Sequence, residues 1–238
     1  MWKKIRNLYK RLKKMLFELR LPPVIHSVLA ERLTYLDSYA LSDLYAQVES
    51  VEKMAQKEGI LIEAGCALGG SAIVMATAKS KERLFYVYDV FGMIPPPSES
   101  DGVDVRERYE IIKSGQSRGI NGGKYYGYEN NLYDKVTGHF REHNLPVEEN
   151  NISLVKGLFE STLWINEPVL LAHLDCDWYE AVMICLIRIE PQLVQGGILI
   201  IDDYDAWSGC RKAVDQYFDD KKEKYEFVHK SRLHIIRK

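Results

Sequence analysis

The feature that most constrains this fold is a strand running into a glycine turn. Ile60-Leu61-Ile62-Glu63 is an apolar run ending in an acid, followed by Gly65-Cys66-Ala67-Leu68-Gly69-Gly70 and a predicted helix from Ser71. A second strand, Leu84-Phe85-Tyr86-Val87-Tyr88, ends at Asp89. Strand, tight turn, helix and strand form a βαβ unit, and the apolar spacing changes period where such a unit requires it. Parallel strands joined this way bury both faces, so the rest of the chain must supply covering layers.

It does. Strands are predicted at Ile152–Lys156, Val169–Leu174 and Gly197–Ile201, with a final pair near 224–229 and 232–237. Helices are predicted near 40–58, 132–143, Tyr179–Ile189 and 209–220. The pattern predicts an α/β domain with a doubly wound, mostly parallel, Rossmann-like sheet and an antiparallel C-terminal strand pair. Residues 91–135 read as a long irregular excursion holding Pro95-Pro96-Pro97, scattered glycines and Tyr125, Tyr126, Tyr128 and Tyr133. A loop of that length in a compact domain is usually functional, and its aromatic content predicts a substrate-facing lid over 98–131.

Charge divides the chain unevenly. The formal net charge is −2, which gives no global drive toward nucleic acid. Residues 1–20 nevertheless hold eight Lys or Arg and one Glu. Trp2, Ile5, Leu8, Leu12, Leu16 and Leu19 share a helical face there, so 1–22 reads as a basic amphipathic arm ended by Leu21-Pro22-Pro23. Packing on a second copy of the chain or over the active site is its first reading, and peripheral contact with an anionic membrane its second. The rest, 23–238, forms one domain. No apolar run approaches the roughly 20 residues needed to span a bilayer. The four cysteines, Cys66, Cys176, Cys185 and Cys210, form no C-x-x-C pair. Reduced thiols in a cytoplasmic protein are expected.

Open parallel sheets bind ligands beyond the carboxyl ends of their strands. Glu63, Asp89, Asp175 and the pair Asp202-Asp203 all fall at such ends. Glycine at 65 lets the backbone approach a ligand closely, and a carboxylate at Asp89 can accept the hydroxyls of a ribose. The spacing is not G-x-G-x-x-G, which weakens a nicotinamide reading. Three converging carboxylates repel unless a cation sits between them, so Asp175, Asp202 and Asp203 suggest a hard divalent ion, most simply Mg²⁺. The plainer reading makes each a helix N-cap, and Asp177 fits that best. His173 lies on the strand face that carries Asp175 and reads first as a core histidine, otherwise as a second proton acceptor or sugar contact. His139 and His143 read as surface residues.

Taken together, these pieces resemble the macrocin O-methyltransferase family, which modifies the sugars of antibiotics. Glu63–Ser71 resembles its E-x-G-x-x-x-G-G turn, and Asp89–Pro97 its D-S-F-x-G-L-P-x-P segment. Gly157–Leu163 resembles G-x-F-x-D-T-L, and Leu174–Glu180 resembles L-D-G-D-x-Y-E. Gly196–Tyr204 followed by Cys210–Asp215 resembles G-G-x-x-x-x-D-D-Y and C-R-x-A-V-D. The likeness covers roughly residues 30–218; Cys176, Trp178 and Ala181 depart from it, the basic arm has no counterpart in it, and the tyrosine-rich loop is not its usual sequence.

The resemblance implies a class I methyltransferase using S-adenosylmethionine, Mg²⁺ and a sugar-like hydroxyl acceptor, and a chain that self-associates. Glu63, Gly65 and Ser71 would hold the amino-acid end of the cofactor, with Ala67 beside them, and Asp89 its ribose. Gly157, Phe159 and Glu160 would border the adenine. Asp175, Asp202 and Asp203 would hold the metal, with Asp175 also the general base. A catechol-type O-methyltransferase and a non-catalytic nucleoside-binding protein are the alternatives.

Overall fold

The computed structural model describes Arg6, residues 16–54 and residues 58–238. Most of the basic arm therefore lies outside the described residues. Among those described, no helix is long and apolar enough to cross a membrane.

Seven strands, β1 (Ile60–Ala64), β2 (Phe85–Asp89), β3 (Ile152–Lys156), β4 (Val169–Leu174), β5 (Leu193–Ile201), β6 (Tyr225–His229) and β7 (Leu233–Arg237), form one sheet. Their order is β3-β2-β1-β4-β5-β7-β6. The first five are parallel, and β7 runs antiparallel to both β5 and β6. The expected sheet, with its antiparallel C-terminal pair, is the one that forms. Strand order reverses between β1 and β4, which opens a crevice above their carboxyl ends.

Side-chain alternation builds two apolar layers. Leu61, Phe85, Val87, Leu171, Ile198 and Ile200 face one layer, covered by α1 (Pro23–Ala30), α2 (Ser38–Glu52), α3 (Gly70–Ala78) and α5 (Leu132–Glu142). Ile60, Ile62, Ala172, Leu174, Leu199 and Ile201 face the other, covered by α7 (Tyr179–Ile189) and α8 (Ser208–Tyr217). β4 is buried along its whole length, as an apolar run broken only by His173 requires. Asp37 caps α2 by accepting from the Tyr39 and Ala40 amides at 3.0 and 2.9 Å.

Residues 91–135 are more regular than expected. They contain a three-turn helix, α4 (Val103–Lys113). It shows no apolar stripe because only Val105 and Ile112 are buried, while Val103 and Ile111 face solvent. His139 and His143 are also not free surface groups. The His139 ring sits 2.9 Å from the Leu68 carbonyl, and His143 pairs with the His139 carbonyl at 2.8 Å.

Candidate active site

The site grows from the turn after β1. Gly65 has φ +88°, and a Cβ built there would lie 1.9 Å from the Asp175 carbonyl oxygen. The ends of β1 and β4 therefore meet at a distance that only glycine tolerates. Asp89, at the end of β2, braces the same turn. Its carboxylate accepts from the amides of Cys66 (2.8 Å), Ala67 (3.2 Å) and Phe91 (2.6 Å). Burial pushes the Asp89 carboxyl up, and these backbone donors offset part of that rise.

Two cavities lie above the strand ends. The first, about 110 Å³, is lined by the 90–98 segment, by Glu180 and Ala181 of α7, and by Leu158, Phe159 and Glu160. The second, about 250 Å³, is walled by Tyr35, Arg108, Tyr125, Trp207, Asp202 and Asp203. Gly65, Asp89, Tyr126, Asp175, Asp177 and Trp178 line both. Of the expected cofactor residues, Gly65, Asp89, Phe159 and Glu160 border the first cavity, and Ala67 the second. Glu63, Ser71 and Gly157 line neither. Ser71 is buried within α3. Gly157 makes a left-handed turn in which a Cβ would meet Thr162 at 2.6 Å.

Glu63 is buried behind the site. The register of β1 and β4 sets it beside His173, and the His173 Nδ1 lies 2.9 Å from Glu63 Oε1. The same face of the sheet carries Asp175, two residues beyond His173, and Asp202, two beyond Ile200. One ligand atom from each of His173, Asp175 and Asp202 falls within 4.8 Å of the others. This donor set suits a divalent cation. Asp203 stands nearby but belongs to the adjoining turn, where its Oδ2 accepts from the Asp177 amide at 3.1 Å.

The electrostatics follow from burial. Desolvation, then Asp202, Asp203, Asp177 and Glu63, push the Asp175 carboxyl well above its ordinary range. Burial opposes ionisation of Asp202 as well, yet His173 and Arg232 outweigh it and hold that carboxyl low. Arg232 Nε donates to Asp202 Oδ1 at 2.6 Å. Burial also disfavours a charged His173, but Asp202 and Glu63 prevail and raise the imidazole to about 9. His173 and Arg232 thus compensate Asp202, while Arg108 offsets part of the rise at Asp177.

Asp177 is not the expected helix cap. α7 begins after Trp178 without a side-chain cap of its own, and Asp177 sits at φ +58° with its residue lining both cavities. Such a backbone conformation is uncommon outside glycine and turns the side chain away from the helix. Burial pushes its carboxyl up to about 6, against a hydrogen bond from Trp207. The motif L-D-C-D-W-Y-E contains this signal, since two acids spaced by one residue at a strand end cannot both serve as caps. Tyr35, Arg108 and Trp207 are further wall residues; they come from segments distant in sequence, so no local pattern marks them.

Comparison with known proteins agrees with this architecture. The first of two curated relatives is a demethyldecarbamoylnovobiocin O-methyltransferase of Streptomyces niveus, 26% identical over 165 residues. The second is an 8-demethyl-8-(2,3-dimethoxy-alpha-L-rhamnosyl)-tetracenomycin-C 4'-O-methyltransferase of Streptomyces olivaceus, 30% identical over 166 residues. Each match takes in 67% of this chain and 58% of the relative, so the chain spans little more than half the length of either. The solved O-methyltransferase NovP has the same fold, with a TM-score of 0.71 and 23% identity over 86% of this chain and 82% of that one. The macrocin-O-methyltransferase (TylF) family pattern matches residues 32–229, and this chain belongs to that family.

Proposed function

We propose that this chain transfers a methyl group from S-adenosylmethionine to a hydroxyl of a sugar on a small molecule, with the help of a divalent cation. The observation that carries this reading is the pair of cavities that meet at Gly65, Asp89, Asp175 and Asp177. A donor in the first and an acceptor in the second would face each other across the carboxyl ends of β1 and β4. The name of the tetracenomycin relative supports a sugar hydroxyl as acceptor.

The first cavity suits the donor. Phe159 and Glu160 offer an apolar face and a hydrogen-bonding edge to the adenine, and Asp89 closes the middle near the ribose. The second suits a sugar: aromatic rings at Tyr35, Tyr125 and Trp207 face its apolar side, and carboxylates face its hydroxyls. Asp175 and Asp202, with Asp203 close by, would hold the cation, which supplies polarisation of the acceptor oxygens. Asp175 is thereby committed to the metal, and Asp177, beside both cavities and outside the cluster, is the better placed proton acceptor. Trp178 and Tyr126 fence the junction from water.

The test is methyl transfer from labelled donor to rhamnosylated polyketide or aminocoumarin glycosides. Asp177→Asn should lower kcat about 10²- to 10⁴-fold while binding of S-adenosylhomocysteine, read by calorimetry, stays intact. Undiminished turnover in that variant would overturn the assignment of Asp177. A protein that binds neither donor nor product would overturn the reading as a whole.

A further inference from the structure

We propose that Leu16 and Leu19, at the end of the basic arm, belong to a docking surface for an anionic lipid bilayer. Docking there sets the mouth of the second cavity toward the membrane.

Three observations carry it. The first is a short segment that is apolar on two sides. Phe17 and Leu21 turn inward. The Phe17 ring stacks on Tyr39 with centres 4.3 Å apart and packs against the first core layer, and Leu21 is buried. Leu16 and Leu19 turn outward and are 47% and 73% exposed. The inward pair fixes the end of the arm on the body, and the outward pair is left facing water.

The second is charge. Residues 1–20 hold eight Lys or Arg against one Glu, in a chain whose net charge is −2. The cations are thus gathered in the same stretch as the exposed pair. In sequence, Trp2, Ile5, Leu8 and Leu12 lead to Leu16 and Leu19 at spacings of three and four. An apolar stripe flanked by Lys and Arg is the pattern that lies on anionic lipid. Two such arms repel each other, which disfavours a pairing of arms between two chains.

The third is place. Tyr39 follows Tyr35 by four residues, so their Cα atoms lie within about 14 Å of each other. Tyr35 lines the second cavity, is half exposed, and meets the ring of Tyr126 edge-on at 6.1 Å. None of residues 16–21 lines either cavity, so the described end of the arm stands beside the opening without closing it. Phenol rings at such a rim suit the headgroup layer, where one end of the ring is wet. The docking does not depend on the methyl-transfer reading; if that reading holds, the acceptor is reached at a membrane surface.

The experiment uses the full chain in flotation with vesicles of phosphatidylcholine, alone or mixed with phosphatidylglycerol. The chain should float with the mixed vesicles only, and added salt should release it. Leu16→Glu combined with Leu19→Glu should weaken binding at least tenfold at an unchanged thermal midpoint, because both side chains are exposed. Ile187→Glu, at an exposed apolar residue elsewhere, should bind like the unaltered chain. Orientation is read with an environment-sensitive thiol label. The native cysteines are buried, so Tyr35→Cys is labelled selectively, and its emission should shift to the blue on mixed vesicles. A label on Glu82→Cys, just before β2 at the opposite edge of the sheet, should not respond. Binding that is absent, indifferent to lipid charge, or retained in the double variant would overturn the proposal. A silent label at position 35 would overturn the orientation. A chain that ignores vesicles but self-associates through Leu16 and Leu19, read by light scattering, would show that a second copy covers this face instead.

Discussion

The backbone amide of Tyr179 donates to the Asp101 carboxylate at 2.8 Å, so α7 is capped by a residue from the excursion after β2. The second oxygen of Asp101 accepts from the Ser98 amide and hydroxyl at 2.9 and 3.1 Å. Trp178 adds a bond from its indole to the Pro95 carbonyl at 3.0 Å. These contacts lash the 95–101 segment to the start of α7, and both border the first cavity, where the donor is proposed to bind. Asp101 is 2% exposed, so its loss leaves the amide unpaired in a dry place. Asp101→Ala should cost about 1–2 kcal/mol of stability by urea denaturation and weaken S-adenosylhomocysteine binding in calorimetry. Unchanged affinity would mean that the lashing does not shape the donor cavity.

Arg188 works in a similar way on the other wall. Its guanidinium donates to the carbonyls of Phe159 (2.7 Å), Glu160 (2.9 Å) and Leu163 (3.2 Å), and it lies 3.9 Å from the centre of the Trp164 ring. The helix it pins, α6 (Phe159–Thr162), is a single turn and too short to hold itself. A lysine ammonium cannot reproduce the planar fork. Arg188→Lys should raise the dissociation constant for S-adenosylhomocysteine about tenfold, the worth of one charge-assisted hydrogen bond, with the acceptor KM unmoved. An equal loss on both substrates would point to general destabilisation instead.

Gly65 admits no side chain. Its positive φ and the 1.9 Å approach of the Asp175 carbonyl to a Cβ combine strain with a direct clash against backbone. Gly65→Ala must push β1 and β4 apart where both cavities are walled. We expect a loss of more than about 3 kcal/mol in chemical denaturation and no measurable donor binding. Gly115, also at positive φ but with open space around it, should tolerate the same change with about 1 kcal/mol of loss.

These sites show what is legible in a sequence and what is not. β4 and α7 can be read to the residue, because an apolar run broken only by His173 follows Pro168 and helical spacing resumes at Tyr179. α4 escapes because a surface helix that buries two residues leaves no stripe. In the site, acids at strand ends are visible from local pattern alone. The partnership of Glu63 with His173 is not, since it depends on how β1 and β4 align, and that register spans 110 residues. Asp177 looks like a cap by position, and only its backbone conformation turns it into the cleft. The second cavity's aromatic wall comes from four separate segments and is written nowhere in one stretch.

The same sheet face carries a second buried acid–histidine pair, and it makes stability depend on pH. Asp43 on α2 accepts from Ser231 Oγ (2.7 Å) and Gln47 Nε2 (3.0 Å), and His234 Nε2 stands 3.1 Å away. Burial opposes ionisation, but His234, Ser231 and Gln47 outweigh it and hold the carboxyl well below the ordinary carboxylate range. The native protein thus binds this proton less readily than the unfolded chain. Its contribution is complete above the unfolded value of about 3.9 and is lost as pH falls below it. Asp43→Asn should cost about 1–2 kcal/mol at pH 7, since a hydrogen-bonded charge is removed. The gap between the two proteins should narrow as pH is lowered from about 5 to 3. Urea midpoints across that range isolate Asp43, because the other carboxylates titrate in both proteins. A gap that stays constant with pH would show that Asp43 is not held ionised by this contact.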